Sequence, residues 1–289
     1  MVRKPTGEVF AQLRAERDNP KSDVWYGGTF DSFLQGAAEG LFAPYRSPRL
    51  VGAPSVGAAA GERHVRPRRR DLPHRRSASA PIPRCSRRSG IAAPRCWADL
   101  VKPEYKSEIE LSNPVTSGTG YTILATLVAL YGEDGAFDYL KRLRPNVVRY
   151  TQSGTAQGPS VARGEVGIGV SFVHEFITQQ LAGFPVDITV PCEGTGDALG
   201  GMAIIANGPN PAEARDVLRL GADAKRAGAR QPDAQPDPPC QRGCRSKAGG
   251  GPVRRRPDRS NVDPAKFGSP AEKKRLLARW QREIGDASN

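Results

Sequence analysis

The apolar positions of this chain follow two different periods. Alternation and short apolar runs predict strands over residues 23–26, 108–111, 147–150, 166–172, 186–190 and 201–206. Helical spacing predicts helices over residues 29–41, 121–131, 174–182 and 272–284. Strands that alternate with helices are typical of parallel sheets covered by helices on both faces. The sequence therefore predicts an α/β protein, and its length predicts about two domains.

Two stretches, 51–88 and 215–260, show neither period. Residues 51–91 carry a net charge of +8 and residues 215–260 one of +7, whereas the whole chain carries +13. The remainder is therefore slightly acidic, and the basic excess belongs to these two stretches. Their Arg, Pro, Ala, Gly and Ser content is typical of irregular linkers or basic arms.

The same composition also arises when a GC-rich gene is translated out of frame. With suitable codons, a shift of one nucleotide converts residues 76–87 into a phrase that contains Gly-Phe-Gly-Ser-Asn-Thr. With suitable codons, a shift over residues 218–224 gives Tyr-Asp-Trp-Ala-Leu-Thr-Pro. We interpret both stretches as frame-shifted, with the frame restored near Ser89 and Asn261, and we expect them to be irregular.

The remaining residues, about two-thirds of the chain, contain a series of phrases that resemble one family. The phrases are Asp23–Gly28, Trp97–Leu100, Pro103–Lys106, Asn113–Thr119, Arg149–Gly154, Ser171–His174 and Pro191–Gly196. In this order they resemble class II periplasmic solute-binding proteins. The most similar branch is labelled ferric-iron transport and includes binders of sugar phosphates and phosphonates. The two phrases obtained by frame-shifting also resemble the segments that this family has at the same places in its sequence.

The resemblance implies a periplasmic binding protein-like II fold of two doubly wound lobes joined by crossing strands. The first lobe would comprise residues 1–75 and 198–289, and the second residues 89–197. The resemblance further implies that the sequence lacks the family's first strand and that residues 7–15 form the helix after the second strand. Crossing strands are expected near residues 76–83 and 193–202. No apolar segment typical of a secretory signal is present at the start of the sequence.

The resemblance also implies a function. The chain would be the substrate-binding component of an ABC import system, which captures a small anionic solute in an interlobe cleft. It would act as a periplasmic monomer, deliver the solute to an inner-membrane ABC permease and catalyse no reaction. Lobe closure around the solute is the working motion of the family. Because the first crossing segment lies in an irregular stretch, we expect this chain not to close.

Three segments that follow a strand and precede a helix are candidate ligand contacts. They contain Gly28, Thr29 and Asp31, then Ser117, Gly118 and Thr119, then Ser153 and Gly154. Backbone N–H groups at a helix start, together with the helix dipole, favour an anion. Each hydroxyl or carboxylate could instead serve only as a helix cap.

The resemblance adds His174, Glu175 and Glu193 to the candidate site. Iron-binding relatives use a pair of tyrosines, and no Tyr-Tyr pair occurs in this sequence. An imidazole and carboxylates suit sugar hydroxyls and phosphate better than the hard ferric ion. We therefore expect no cofactor. Fe³⁺ as a transported ligand, held through an exogenous anion, is the alternative, and His174 could also be merely a helix-start histidine.

Two other classes of function are weaker. The arginine runs 63–88 and 254–259 could bind nucleic acid, but they lack interleaved aromatic residues, so we expect no nucleic-acid partner. Ser117, His174 and Glu193 could form a catalytic triad. No Gly-x-Ser-x-Gly motif accompanies the serine, so we expect no enzyme.

The five cysteines fall into two groups. Cys96 and Cys192 lie in the regular part of the sequence and form either a disulfide or two buried thiols. Cys85, Cys240 and Cys244 lie in the irregular stretches, where Cys240 and Cys244 resemble half a zinc site. Because no second ligand pair accompanies them, we interpret that spacing as accidental.

Overall fold

A computed structural model of the chain describes residues 2, 4–45, 77–78, 82–84, 93–198, 200–221 and 262–285. The predictions for Cys85, Cys240, Cys244 and both arginine runs therefore lie outside the described residues, apart from short pieces of the first run. Within the described ranges, no helix combines the length and the apolar character needed to cross a membrane.

The helices and strands alternate through most of the described chain. The helices are α1 Thr6–Ala15, α2 Phe30–Ala38, α3 Gly118–Leu143, α4 Gln157–Ala162, α5 Val173–Leu181, α6 Pro211–Gly221, α7 Pro264–Phe267 and α8 Pro270–Glu283. The strands are β1 Val24–Thr29, β2 Ser77–Ala78, β3 Ile82–Arg84, β4 Ile109–Ser112, β5 Val147–Thr151, β6 Ile168–Gly169, β7 Asp187–Thr189, β8 Asp197–Ala198 and β9 Gly200–Ile204. Every predicted strand and helix has a counterpart, which confirms the α/β class.

One predicted helix has the expected end, and one predicted strand is shorter than expected. The helix predicted to end at Tyr131 is interrupted directly after it, because Gly132 takes a non-helical φ of 73° and ψ of 169°, and a second helical segment of α3 follows to Leu143. The strand expected over residues 166–172 is reduced to Ile168–Gly169, since only these residues align with β4 in the ladder. A run of apolar residues indicates that a segment is buried. Which of its residues form β-ladder hydrogen bonds depends on the strand beside it.

A five-stranded sheet forms the centre of the second lobe. Its order is β5-β4-β6-β3-β7, with β4 parallel to both β5 and β6. Strand β3 runs antiparallel to β6 and β7. The sheet is therefore mixed rather than wholly parallel, and its parallel part is β5-β4-β6.

Crossing strands join this sheet to the first lobe, as predicted. Strand β2 pairs antiparallel with β8. After β2 the chain enters the second-lobe sheet as β3. After β8 it forms β9, which pairs with β1 of the first lobe. The two lobes are thus connected by a pair of adjacent strands.

The expectation that residues 51–88 and 215–260 are irregular is wrong for part of each stretch. Residues 77–78 and 82–84 are strands within sheets, and α6 continues to Gly221. Strands of two or three residues are too short to show a period, so the hydrophobic pattern could not reveal them. The remainder of both stretches lies outside the described residues.

Each lobe has its own hydrophobic core. The core of the first lobe is an aromatic cluster of Phe10, Trp25, Phe33 and Phe42, in which the Trp25 and Phe33 ring centroids are 4.7 Å apart. The core of the second lobe surrounds α3, whose first three turns are buried on every side. A helix buried all round needs partners on all its faces.

The C-terminal helix supplies one of those partners. Leu276, Trp280 and Ile284 belong to the core of the second lobe, and the Trp280 ring packs edge-on against Tyr150. The same segment also contacts α2 of the first lobe, where Lys273 pairs with Asp31, so the assignment of residues 198–289 to the first lobe stays a prediction. The amphipathic face was predicted correctly, but the period of a helix does not specify which surface it covers.

Replacing Ile284 by valine will lower the free energy of unfolding by about 1 kcal/mol, because it removes a buried methylene group from this core. Ile284 is 1% exposed, whereas Ile177 on α5 is 42% exposed. The same change at Ile177 will alter the stability by less than about 0.5 kcal/mol. Urea unfolding of both variants measures the difference, and equal effects would contradict the packing of the C-terminal helix.

Candidate functional site

The loops that follow three neighbouring parallel strands meet at one edge of the second-lobe sheet. Ligands in open α/β sheets bind beyond the carboxyl ends of the strands, at such an edge. Ser117 to Thr119 follow β4, Ser153 and Gly154 follow β5, and Ser171 follows β6. The strand order β5-β4-β6 places these loops side by side.

Short hydrogen bonds and close packing hold the three loops together. The Ser171 hydroxyl donates to the Gly154 carbonyl at 2.5 Å, and the Thr116 hydroxyl donates to the Gln152 carbonyl at 2.9 Å. A methyl group added to Gly154 would collide with the Thr119 hydroxyl. The loops therefore form one rigid surface. Position 154 must be glycine because the Thr119 side chain lies so close to it.

Ser117 caps the helix that starts at this surface. Its hydroxyl accepts a hydrogen bond from the backbone N–H of Gly120 at 3.3 Å, and its side chain is buried. The cap leaves other N–H groups of the first turn of α3 without a helical acceptor. Because α3 starts at Gly118, its positive end lies at the loops after β4 and β5.

The first lobe meets the second at the same place. A Cβ atom on Gly118 would lie 2.5 Å from Oγ1 of Thr29 and 3.1 Å from Oγ1 of Thr6. The backbone N–H of Gly7 donates to the Thr116 carbonyl at 2.9 Å. The starts of α1, α2 and α3 thus converge, and three helix dipoles present their positive ends to one region.

Thr29 and Asp31 do not cap α2 as the sequence suggested. Thr29 occupies the N-cap position but makes no capping hydrogen bond, and its hydroxyl lies 3.5 Å from that of Ser32. Asp31 lies in the first turn and forms an ion pair with Lys273, whose Nζ is 2.5 Å from Oδ2. The preceding Gly28 is buried beneath the Trp25 ring and gives the strand room to turn into the helix.

His174 and Glu175 begin the helix that follows β6. The His174 side chain is 57% exposed, and its Nε2 lies 3.2 Å from Oε1 of Glu175. The imidazole stacks on the Phe172 ring, with centroids 5.7 Å apart. Both residues lie three to four positions beyond Ser171, so they border the loop surface and stay candidate ligand contacts.

Glu193 lies away from this surface. Its two carboxylate oxygens accept hydrogen bonds from the backbone N–H groups of Trp97 and Ala98, at 2.7 and 2.9 Å. Its Oε1 is also 3.4 Å from the hydroxyl of Tyr131. Tyr131 is about 20 Å along α3 from Ser117. Glu193 therefore fixes a turn beside the middle of α3, far from Ser117, and a triad of Ser117, His174 and Glu193 does not assemble.

Cys96 and Cys192 form a disulfide, which decides between the two options that the sequence left open. The bridge joins the chain where it enters the second lobe to the chain where it leaves, 96 residues later. Their sulfur atoms lie within 4.8 Å of a Glu193 oxygen. As the sulfurs are bonded to each other, this group offers no thiolate to a metal.

A cavity of about 60 Å³ lies beside the convergence of the helix starts. It opens between the start of α2, one face of α3 and the segment around α7, and its lining includes Thr29, Asp31, Tyr121, Thr122 and Phe267. The Tyr121 hydroxyl donates to the Phe267 carbonyl at 2.7 Å. Burial raises the pKa of Tyr121, so this hydroxyl is a neutral donor at ordinary pH.

Sequence reasoning missed four residues of this region. Thr6, Thr116, Ser171 and Lys273 were not among the candidates. Thr6, Ser171 and Lys273 each contact a candidate residue, and Thr116 contacts Gln152, which precedes the candidate Ser153. Thr116 carried a signal, since it follows a predicted strand at the same sheet edge, whereas Ser171 lay within the strand predicted over residues 166–172. Thr6 and Lys273 carried none, because their contacts bring together distant parts of the chain.

Comparison with known proteins agrees with this geometry. Residues 86–232 match the model of a family described as bacterial extracellular solute-binding protein. The chain belongs to this family. Such solute-binding proteins are the substrate-binding components of ABC import systems, they act outside the cytoplasm, and their partners are a small solute and an ABC permease.

Individual relatives extend the similarity over nearly the whole chain. The structure of the periplasmic binding protein AfuA from Actinobacillus pleuropneumoniae is 31% identical, with a TM-score of 0.77, and covers 99% of this chain and 90% of AfuA. A Haemophilus influenzae protein described as uncharacterized is 34% identical over 98% of this chain and 82% of its own length. The Escherichia coli spermidine/putrescine-binding periplasmic protein is 29% identical, over 43% of this chain and 36% of that protein. The first of these confirms the two-lobe type II fold.

Proposed function

We propose that this solute-binding protein captures a small anionic solute of the sugar-phosphate class between its two lobes. The observation that supports this most is the convergence of the starts of α1, α2 and α3 at Thr6, Thr29 and Gly118. Backbone N–H groups and helix dipoles at such a point favour a phosphate or carboxylate. The protein would act as a periplasmic monomer and pass its solute to an inner-membrane permease, without a cofactor or nucleic acid.

The relatives support the same class of ligand. The AfuA structure is described with exogenous fructose 6-phosphate bound. A phosphate group would accept hydrogen bonds from the loops at Ser117, Thr119 and Ser153. The sugar hydroxyls would reach His174 and Glu175, since imidazole and carboxylate groups pair with hydroxyls. The protein holds the solute and does not change it.

Isothermal titration calorimetry with fructose 6-phosphate, fructose, inorganic phosphate, ferric citrate and spermidine tests this proposal. We expect the phosphate ester to bind and neutral fructose and cationic spermidine to bind at least about a hundredfold more weakly, because each lacks the anionic group. Preferential binding of spermidine would overturn the anionic class. Preferential binding of ferric citrate would show that the solute is a ferric complex and not a sugar phosphate.

A matched pair of threonine variants locates the site. Replacing Thr119 by valine removes one hydroxyl at the loop surface and will weaken binding of the phosphate ester about tenfold, as expected for a lost hydrogen bond to a charged group. Thr126 lies in the same helix, is 0% exposed, and donates to the Thr122 carbonyl at 2.7 Å. Replacing Thr126 by valine will leave the affinity unchanged, and equal losses in both variants would contradict the assigned site.

A further inference from the structure

An acidic side chain lies beside the convergence of helix starts at which we propose that the anion binds. Asp31 is in the first turn of α2, directly after Thr29, and its side chain is only 11% exposed. It also lines the cavity beside the convergence of helix starts. A bare carboxylate in this position would repel an anion bound at the start of α2, since their separation is about one helical turn.

The structure supplies a cation that neutralises this carboxylate. The Lys273 ammonium lies 2.5 Å from Oδ2 of Asp31 and 3.4 Å from the Ser32 hydroxyl, and its side chain is 15% exposed. It also lies 5.0 Å from the centre of the Tyr121 ring, where a cation is attracted by the π electrons. The pair is therefore enclosed, and solvent screens it only weakly.

The helix that carries Lys273 is fixed independently of Asp31. Both Arg275 and Arg279 of α8 pair with Glu133 of the second lobe, at 2.6 and 2.9 Å. The hydrogen bond from Arg275 lowers the pKa of Glu133 to about 2. Leu276 and Trp280 anchor the opposite face of α8 in the second-lobe core. Lys273 is thus presented to the first lobe from a rigid support.

We infer that Lys273 determines the preference of the site for anions by neutralising Asp31 at the start of α2. This inference rests on the proposed function. With the pair intact, the helix start keeps its positive potential for the solute. Without the lysine, the aspartate charge opposes that potential. Lys273 is then a specificity-determining residue that acts through Asp31, although 242 positions separate the two in sequence.

Two variants and a control test this inference by titration with fructose 6-phosphate at low and high salt. Replacing Lys273 by glutamine will weaken binding at least about tenfold at low salt, and less at high salt, because added salt screens the exposed charge. The double variant D31N/K273Q will bind within about threefold of the wild type, since it has no uncompensated carboxylate. The neighbouring K274Q, on the exposed side of α8, will match the wild type.

The outcomes separate this inference from the proposed function. If the wild type binds no phosphate ester, the proposed function and this inference both fail. If the wild type binds the ester but K273Q binds it equally well, only this inference is overturned. It is also overturned if D31N/K273Q binds as weakly as K273Q, because the lysine would then contact the solute directly or serve only to hold the lobes. Circular dichroism and a thermal melt confirm that each variant is folded.

Discussion

Replacing both Cys96 and Cys192 by serine will lower the free energy of unfolding by about 4 to 5 kcal/mol. The bridge closes a loop with a sequence separation of 96 residues. A cross-link of that span removes much of the conformational entropy of the unfolded chain, which is the source of an effect of this size. Urea unfolding of the oxidised protein and of the C96S/C192S variant measures the loss.

A reductant provides the internal control for this experiment. Dithiothreitol will destabilise the wild type by a similar amount but will leave C96S/C192S unchanged. An additional effect of the reductant on the variant would show that other cysteines take part. A double variant as stable as the wild type would contradict the stabilising role of the bridge.

Replacing Arg149 by methionine will lower the free energy of unfolding by about 3 kcal/mol, because it leaves a buried carboxylate without its cation. Glu110 of β4 is 0% exposed, and its Oε2 lies 2.6 Å from Nε of Arg149 on the adjacent strand β5. The arginine side chain is itself 49% exposed, which places the effect at the lower end of the range for broken buried pairs.

The double variant E110Q/R149M distinguishes lost charge pairing from lost packing. Glutamine keeps the shape of Glu110 without its charge, so we expect the double variant to be more stable than R149M alone by about 1 kcal/mol or more. Urea unfolding of the two single variants and the double variant completes the cycle. A simple sum of the two single effects would exclude coupling between these side chains.

Much of the local structure could be predicted from the sequence. The first helical segment of α3 follows from the apolar positions at helical spacing after Ser117, and Ser117 occupies the cap that its position suggested. The strand-loop-helix segments at Thr29, Ser117 and Ser153 were also recognisable, because residues with short polar side chains follow each apolar strand. These features depend on residues close together in the chain.

The frame-shift hypothesis stays a prediction about the gene, and resequencing tests it. The prediction from the sequence was wrong for residues 77–78 and 82–84, which form short strands in a stretch expected to be irregular. The partners of β3 are residues 168 and 187–189, far along the chain. A segment without its own pattern can be ordered by neighbours that the sequence does not reveal.

By itself, the sequence determined the α/β class, the bounds of most helices and strands, and the loops with chemistry suited to an anion. Only the tertiary structure decided that Glu193 fixes a turn far from the site, that the C-terminal helix packs in the second-lobe core, and that Asp31 is paired with Lys273. Helical and strand periods arise from backbone geometry within a few residues. Contacts between distant segments depend on how whole surfaces fit together, and no local pattern records that fit.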